Sequence, residues 1–147
     1  MREIITRVYQ FNELNDGAKQ TALDDFLYDI NISYEWWEFI VEDAKMVGIR
    51  ITDFDVYGRT CEGEFITNAI DVKKAIMETH GRMCDTYKTV QDFDFRRNVD
   101  EKEMLHLLLE DYQSLLIREY DYLISDEAII DTIQANEYEF TESGKLI

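Results

Sequence analysis

Apolar positions repeat along this chain at two periods, and the changes between them mark out the elements. "REIITRVYQF" alternates Ile4, Thr6 and Val8 against Ile5, Arg7 and Tyr9, which predicts a first strand. In "NDGAKQTALDDFLYDI" Ala18, Ala22, Phe26 and Ile30 fall at helical spacing behind Asn15, an expected N-cap. A second helix is expected over roughly 34–47, with Gly48 as its C-cap. "IRITDFDVYG" and "RTCEGEFI" alternate again and predict a hairpin turning near Gly58. "NAIDVKKAIMETHG" predicts a short helix before Gly81, and "CDTYKTVQDFDFRRNV" a short helix and a loop.

The longest periodic stretch runs from about Asp100 to Ile124. Its apolar stripe is Met104, Leu105, Leu108, Leu109, Tyr112, Leu115, Leu116, Tyr120 and Leu123. Ser125 is expected to cap "DEAIIDTIQAN", and "EYEFTESGKLI" to form a strand or a short hairpin around Ser143 and Gly144. No internal repeat or linker interrupts the pattern. The expectation is one α+β domain over 1–147: a small, mainly antiparallel sheet of about four strands, packed with four to six helices, one of them long and C-terminal.

Adjacent Trp36 and Trp37 test the pattern most. On a wheel of residues 34–48 at about 100° per residue, they share an arc of about 140° with Ile40, Val41, Ala44, Val47 and Gly48. Both indoles therefore suit one core, at the edges of a wide stripe. Phe39 and Met46 fall outside that arc, where they meet another element or form a small exposed patch for a partner. A stacking surface for nucleic acid needs a basic rim, whereas the neighbours are Glu35, Glu38, Glu42 and Asp43.

Charge changes the picture more than composition does. Against 15 basic residues stand 32 acidic ones, for a net charge of -17. Such a field repels nucleic acid and anionic membranes and favours cationic partners. The excess is densest over residues 100–147. The opening "MREIITRVYQF" lacks the apolar core of an export signal, and no apolar run approaches the roughly 18–20 residues of a membrane span. Cys61 and Cys84 are expected to be reduced thiols of a cytoplasmic protein.

Sequence patterns for chemistry are fragmentary. "DFDVYGRTCEGE", residues 53–64, sets Asp53, Asp55, Gly58 and Glu64 at four positions of a calcium loop. Tyr57 stands where an oxygen ligand is needed and both flanks read as strands, so a hairpin is expected. Cys61, His80 and Cys84 are three possible zinc ligands or a thiol–imidazole pair, without a paired CxxC and with no residue marked to orient the base. No phosphate-cradling glycine loop, GxSxG or HExxH occurs. The one adjacent arginine pair, Arg96 and Arg97, sits beside Asp92, Asp94 and Asp100.

The acidic face is the remaining candidate. Asp100, Glu101, Glu103, Glu110, Asp111, Glu119 and Asp121 lie along the long helix, followed by Asp126, Glu127, Asp131, Glu137 and Glu139. Carboxylates spaced by helical turns imitate an edge of the phosphate array of a duplex.

Four stretches also carry a resemblance: "YEWWEFIVEDAKMVGIRITDFDV", "CEGEF", "HGRMCDTYKTVQDF" and "LLEDYQSLLIREYDYLISDEAIIDTIQANEYEFTESGKL". Together, over about Val8 to Lys145, the chain resembles a family of small acidic bacteriophage and prophage proteins. Its members are mostly without assigned activity, and some are labelled antitoxin of a toxin–antitoxin stability system. The resemblance implies a bacterial cytoplasm and a phage setting, in which small acidic proteins act as anti-CRISPR or anti-restriction inhibitors.

The expectation is thus a non-enzymatic protein, monomer or homodimer, without cofactor, binding a host protein with a basic, nucleic-acid-handling surface. Glu103, Glu110, Asp111, Glu119 and Asp121 are the expected contacts, with Phe39 and Met46 as apolar anchors. The alternatives are an antitoxin neutralising a cognate toxin, and a small enzyme or metal protein using Cys61, His80 and Cys84.

Overall fold

In the computed structural model, residues 1–29, 35–95 and 101–147 are described, without the side chains of 28 and 29. Ile30, Tyr34, Arg96, Arg97 and Asp100, named above, lie outside them. The chain is α+β, as its pattern predicts. It divides into two compact units, residues 1–34 with 121–147, and residues 35–120.

In the first unit, strand β1 (Tyr9–Gln10) leads through a single 3-10 turn into helix α1 (Asp16–Asp29). Asn15 caps α1 as expected, its Oδ1 accepting from the Ala18 N–H at 2.8 Å. Ser125 likewise caps α6 (Asp126–Ala135), its Oγ accepting from the Ala128 N–H at 3.3 Å. Strand β4 (Glu139–Phe140) pairs antiparallel with β1, Tyr9 opposite Phe140. The chain then turns at Ser143 and Gly144, and the Thr141 N–H reaches the Lys145 carbonyl at 2.8 Å. Phe11, Leu14, Ala18, Ala22, Leu23, Ile129, Ile133 and Phe140 form the core of this unit.

The predicted first strand is much shorter than its sequence pattern. Residues 1–8 carry no regular structure, and Ile4 and Ile5 are exposed. Alternation supplies a face but not a neighbour: β4 offers a ladder only two residues long, and an unpaired strand leaves its backbone groups to water.

The second unit begins with Trp36 and Trp37 in a turn, and α2 (Glu38–Val47) starts later than the wheel predicts. Both indoles pack on Phe54, with ring centroids 6.1 and 5.8 Å away, and Trp36 also meets Tyr120 at 5.7 Å. Trp36 is therefore core and Trp37 only partly buried, both held on Phe54 by edge-to-face contacts rather than by a helical stripe. Gly48 ends α2 at φ 103, a conformation that glycine adopts without strain. Strands β2 (Ile49–Asp55) and β3 (Thr60–Phe65) form the expected hairpin around residues 56–59. Among the described residues, four strands are thus shared between two two-stranded ladders.

Helix α3 (Ala69–Thr79) is capped by Asn68, and α4 (Asp85–Gln91) follows. The long helix α5 (Glu101–Leu123) buries Met104, Leu108, Leu109, Tyr112 and Leu116 from its predicted stripe. Among the described residues no helix is long and apolar enough to cross a membrane.

Candidate functional site

Helices α2, α4 and α5, with the α3–α4 turn, surround a half-open cavity of about 660 Å³ in the second unit. Its size falls in the range of ligand pockets. The site begins with a buried tyrosine. Tyr112 belongs to the apolar stripe of α5 and is fully buried, so its hydroxyl needs a partner. It donates to Asp43 Oδ2 at 2.9 Å. Asp43 is half-exposed, on the flank of α2.

The second contact to the same oxygen comes from His80, at the C-cap of α3. Its Nε2 lies 3.1 Å from Asp43 Oδ2, with a side chain only 10% exposed. The approach is close but out of line for a directed hydrogen bond. On the other side of the ring, Nδ1 lies 2.5 Å from the buried Thr86 hydroxyl. Tyr112, Asp43, His80 and Thr86 thus form a continuous polar chain through the cavity wall. Contact with His80, aided by the Tyr112 hydroxyl, holds the Asp43 carboxyl below the ordinary 3.8 against the cost of burial. Burial first, and the Asp43 charge second, push the Tyr112 hydroxyl up.

Asp111, the residue before Tyr112 and about 100° round the helix from it, accepts from Thr89 Oγ1 at 2.5 Å. Burial outweighs that bond and raises its carboxyl, with Asp85 and Glu110 adding repulsion. Arg118 approaches Asp85 loosely, at 3.8 Å. With Asp43, Asp85, Asp111 and Glu119 in the wall, the lining is acidic despite Arg118.

The predicted partner residues separate into groups. Phe39, Asp111 and Glu119 meet at the cavity. Glu103 and Glu110 lie seven residues apart on the outer face of α5, and Glu110 receives His106 Nε2 at 3.0 Å. Met46 is 81% exposed on α2, and Asp121 is exposed in the first unit. They do not form one row: at about 100° per residue, Glu119 is turned by roughly half a circle from Glu110.

The three residues of the thiol and zinc alternatives also separate. His80 and Cys84 line the cavity, but Cys61 lies on β3 opposite Phe54. Burial, with Asp53 and Glu62 nearby, pushes the Cys61 thiol up to about 11. Among the described residues no three His, Cys, Asp or Glu side chains converge to hold a metal ion.

Sequence reasoning missed Asp43, Thr86 and Arg118 as cavity residues. A tyrosine inside an apolar stripe was the available signal, because its hydroxyl demands a partner that the stripe itself does not contain. Comparison with protein families, curated proteins and solved structures finds no match to this chain.

Proposed function

We propose that this protein is a non-enzymatic binder that inhibits a basic, nucleic-acid-handling host protein by occupying its phosphate-binding groove. The observation that supports it most is the outward placement of Glu103 and Glu110 on a 23-residue helix, in a chain of net charge -17. Seven residues of α-helix advance about 10.5 Å. Three phosphate-to-phosphate steps along one strand of a duplex advance about 10.2 Å. A cation-lined groove built for the second spacing accepts the first. The surrounding field steers the encounter, and salt weakens it. The phage family that the sequence resembles supplies a setting for such an inhibitor.

The test is capture of partners from a bacterial lysate on immobilised protein, at low and high salt, followed by competition with duplex DNA. A basic nucleic-acid-binding protein should be retained, released by salt and displaced by DNA. The double reversal Glu103→Lys with Glu110→Lys should weaken its binding at least about tenfold, or roughly 1.4 kcal/mol. Undiminished binding by that variant overturns the reading. So does a partner that binds this protein and DNA together. A captured protein with no affinity for nucleic acid would instead favour neutralisation of a toxin.

A further inference from the structure

The cavity beside α5 combines features that the outer acidic face lacks. Phe39 and Met83 stand at its walls, 60% and 83% exposed, although both are large apolar side chains. Leu115 continues that apolar lining. Asp43 is fixed between two contacts, Tyr112 Oη and His80 Nε2, and both fall on Oδ2. That arrangement leaves Oδ1 to accept from an incoming donor. The carboxylate is 48% exposed and therefore reachable. His80, nine-tenths buried, lacks a directed hydrogen bond at Nε2 and is tied at Nδ1 to the Thr86 hydroxyl. The carboxylate is thus held in one orientation before any ligand arrives, which lowers the ordering cost of binding.

A ligand suited to these walls carries a positive head on an apolar stem. An anion would meet Asp43, Asp85, Asp111 and Glu119, with Arg118 as the opposing charge. A purely apolar ligand would strip water from the carboxylates without replacing it. Lysine and arginine side chains combine the two requirements, since their methylene stems lie along apolar surface while the head stays polar.

We infer that this cavity receives a lysine or arginine side chain of the basic partner, its stem against Phe39, Met83 and Leu115 and its head on Asp43 Oδ1. This rests on the proposed function for the existence of such a partner. It differs in assigning an anchoring pocket to one residue of the partner rather than a groove to an acidic row.

The experiment uses the full chain and short synthetic probes, so that it does not depend on capturing the partner. Acetyl-Leu-Arg-Leu-amide is titrated against labelled protein and followed by NMR, beside the same peptide with citrulline, which keeps the shape of arginine without its charge. Saturable shifts are expected at His80, Met83 and Leu115, with the citrulline peptide at least about tenfold weaker. Asp43→Asn should reduce arginine-peptide binding about tenfold. Phe39→Ala, at an exposed position where folding is not at stake, should weaken both peptides. Glu64→Gln, on β3 and outside the cavity, should leave peptide binding within about twofold. Equal binding of the two peptides, or saturable shifts confined to other residues, overturns the inference. So does the absence of any saturable shift. Peptide binding together with failed capture of a basic protein would overturn the proposed inhibitor and leave the pocket standing.

Discussion

Asp43 and Asp111 face the same cavity, yet their carboxyls are pushed in opposite directions. His80 and the Tyr112 hydroxyl favour the charged form of Asp43, whereas burial dominates at Asp111. The signs follow by linkage. A carboxyl held below 3.8 in the folded state stabilises fully above that value, and its contribution disappears as pH falls through the folded value. A raised carboxyl does the reverse: its penalty is full above the raised value and is relieved on acidification towards 3.8. The two effects oppose each other, so the acid limb of the whole protein does not isolate either one. Tyr112→Phe isolates the first, since it removes one contact on Asp43 and keeps the ring. It should cost about 1 kcal/mol at pH 7, a charge-assisted bond discounted for the exposure of Asp43. The difference should shrink as pH falls below 3.8, and chemical denaturation at pH 7 and on the acid side of 3.8 checks it. An equal loss at both would mean that the hydroxyl bonds the neutral and the charged carboxyl alike, and would refute the charge-assisted reading. The sequence shows that Tyr112 sits in a buried stripe. It does not show its partner, because Asp43 lies 69 residues away and only the tertiary fold joins them.

Helices were legible where their signals are local. Asn15, Gly48 and Ser125 each act within three or four residues of themselves, so their capping roles could be read directly. Strand extent depends on a partner elsewhere, and β1 accordingly fell short of its alternating pattern. Trp36 and Trp37 gave the helical period but take their positions from Phe54, on a different element. Gly63 is a further case. It lies inside β3, where glycine ordinarily weakens a strand. A Cβ there would come within 2.5 Å of the Arg50 carbonyl oxygen and 2.9 Å of Leu109 Cδ2. The first obstacle is backbone of the paired strand, and the second belongs to the buried stripe of α5. Neither can withdraw without disturbing the hairpin or the core. Gly63→Ala should therefore destabilise the protein by about 1–3 kcal/mol. Gly58→Ala is the control, since the nearest atoms to its Cβ belong to the exposed side chain of Asp55 rather than to backbone or core. Thermal melting of both variants should place Gly63→Ala clearly lower, and equal melting points would refute the close-approach argument.

At the scale of the molecule, a net charge of -17 acts on folding and on association with opposite dependence on salt. Within the chain it is self-repulsion, which opposes the compact state. Towards a cationic partner it is attraction. Screening reduces both, because the Debye length falls from about 10 Å at 0.1 M to about 3 Å at 1 M. Added sodium chloride should thus raise the melting temperature while weakening partner binding. A gain of about 1 kcal/mol in stability would appear as roughly 3–5 °C for a chain of this size. Sodium chloride and a non-ionic osmolyte, compared at concentrations giving equal stabilisation, separate screening from general exclusion effects: only the salt should reduce binding as it stabilises. If binding survives the salt that stabilises the fold, then the carboxylates serve solubility and the association rests on apolar contacts. In that case the weight shifts from Glu103 and Glu110 to the exposed Phe39 and Met83, whose contribution does not depend on the ionic atmosphere.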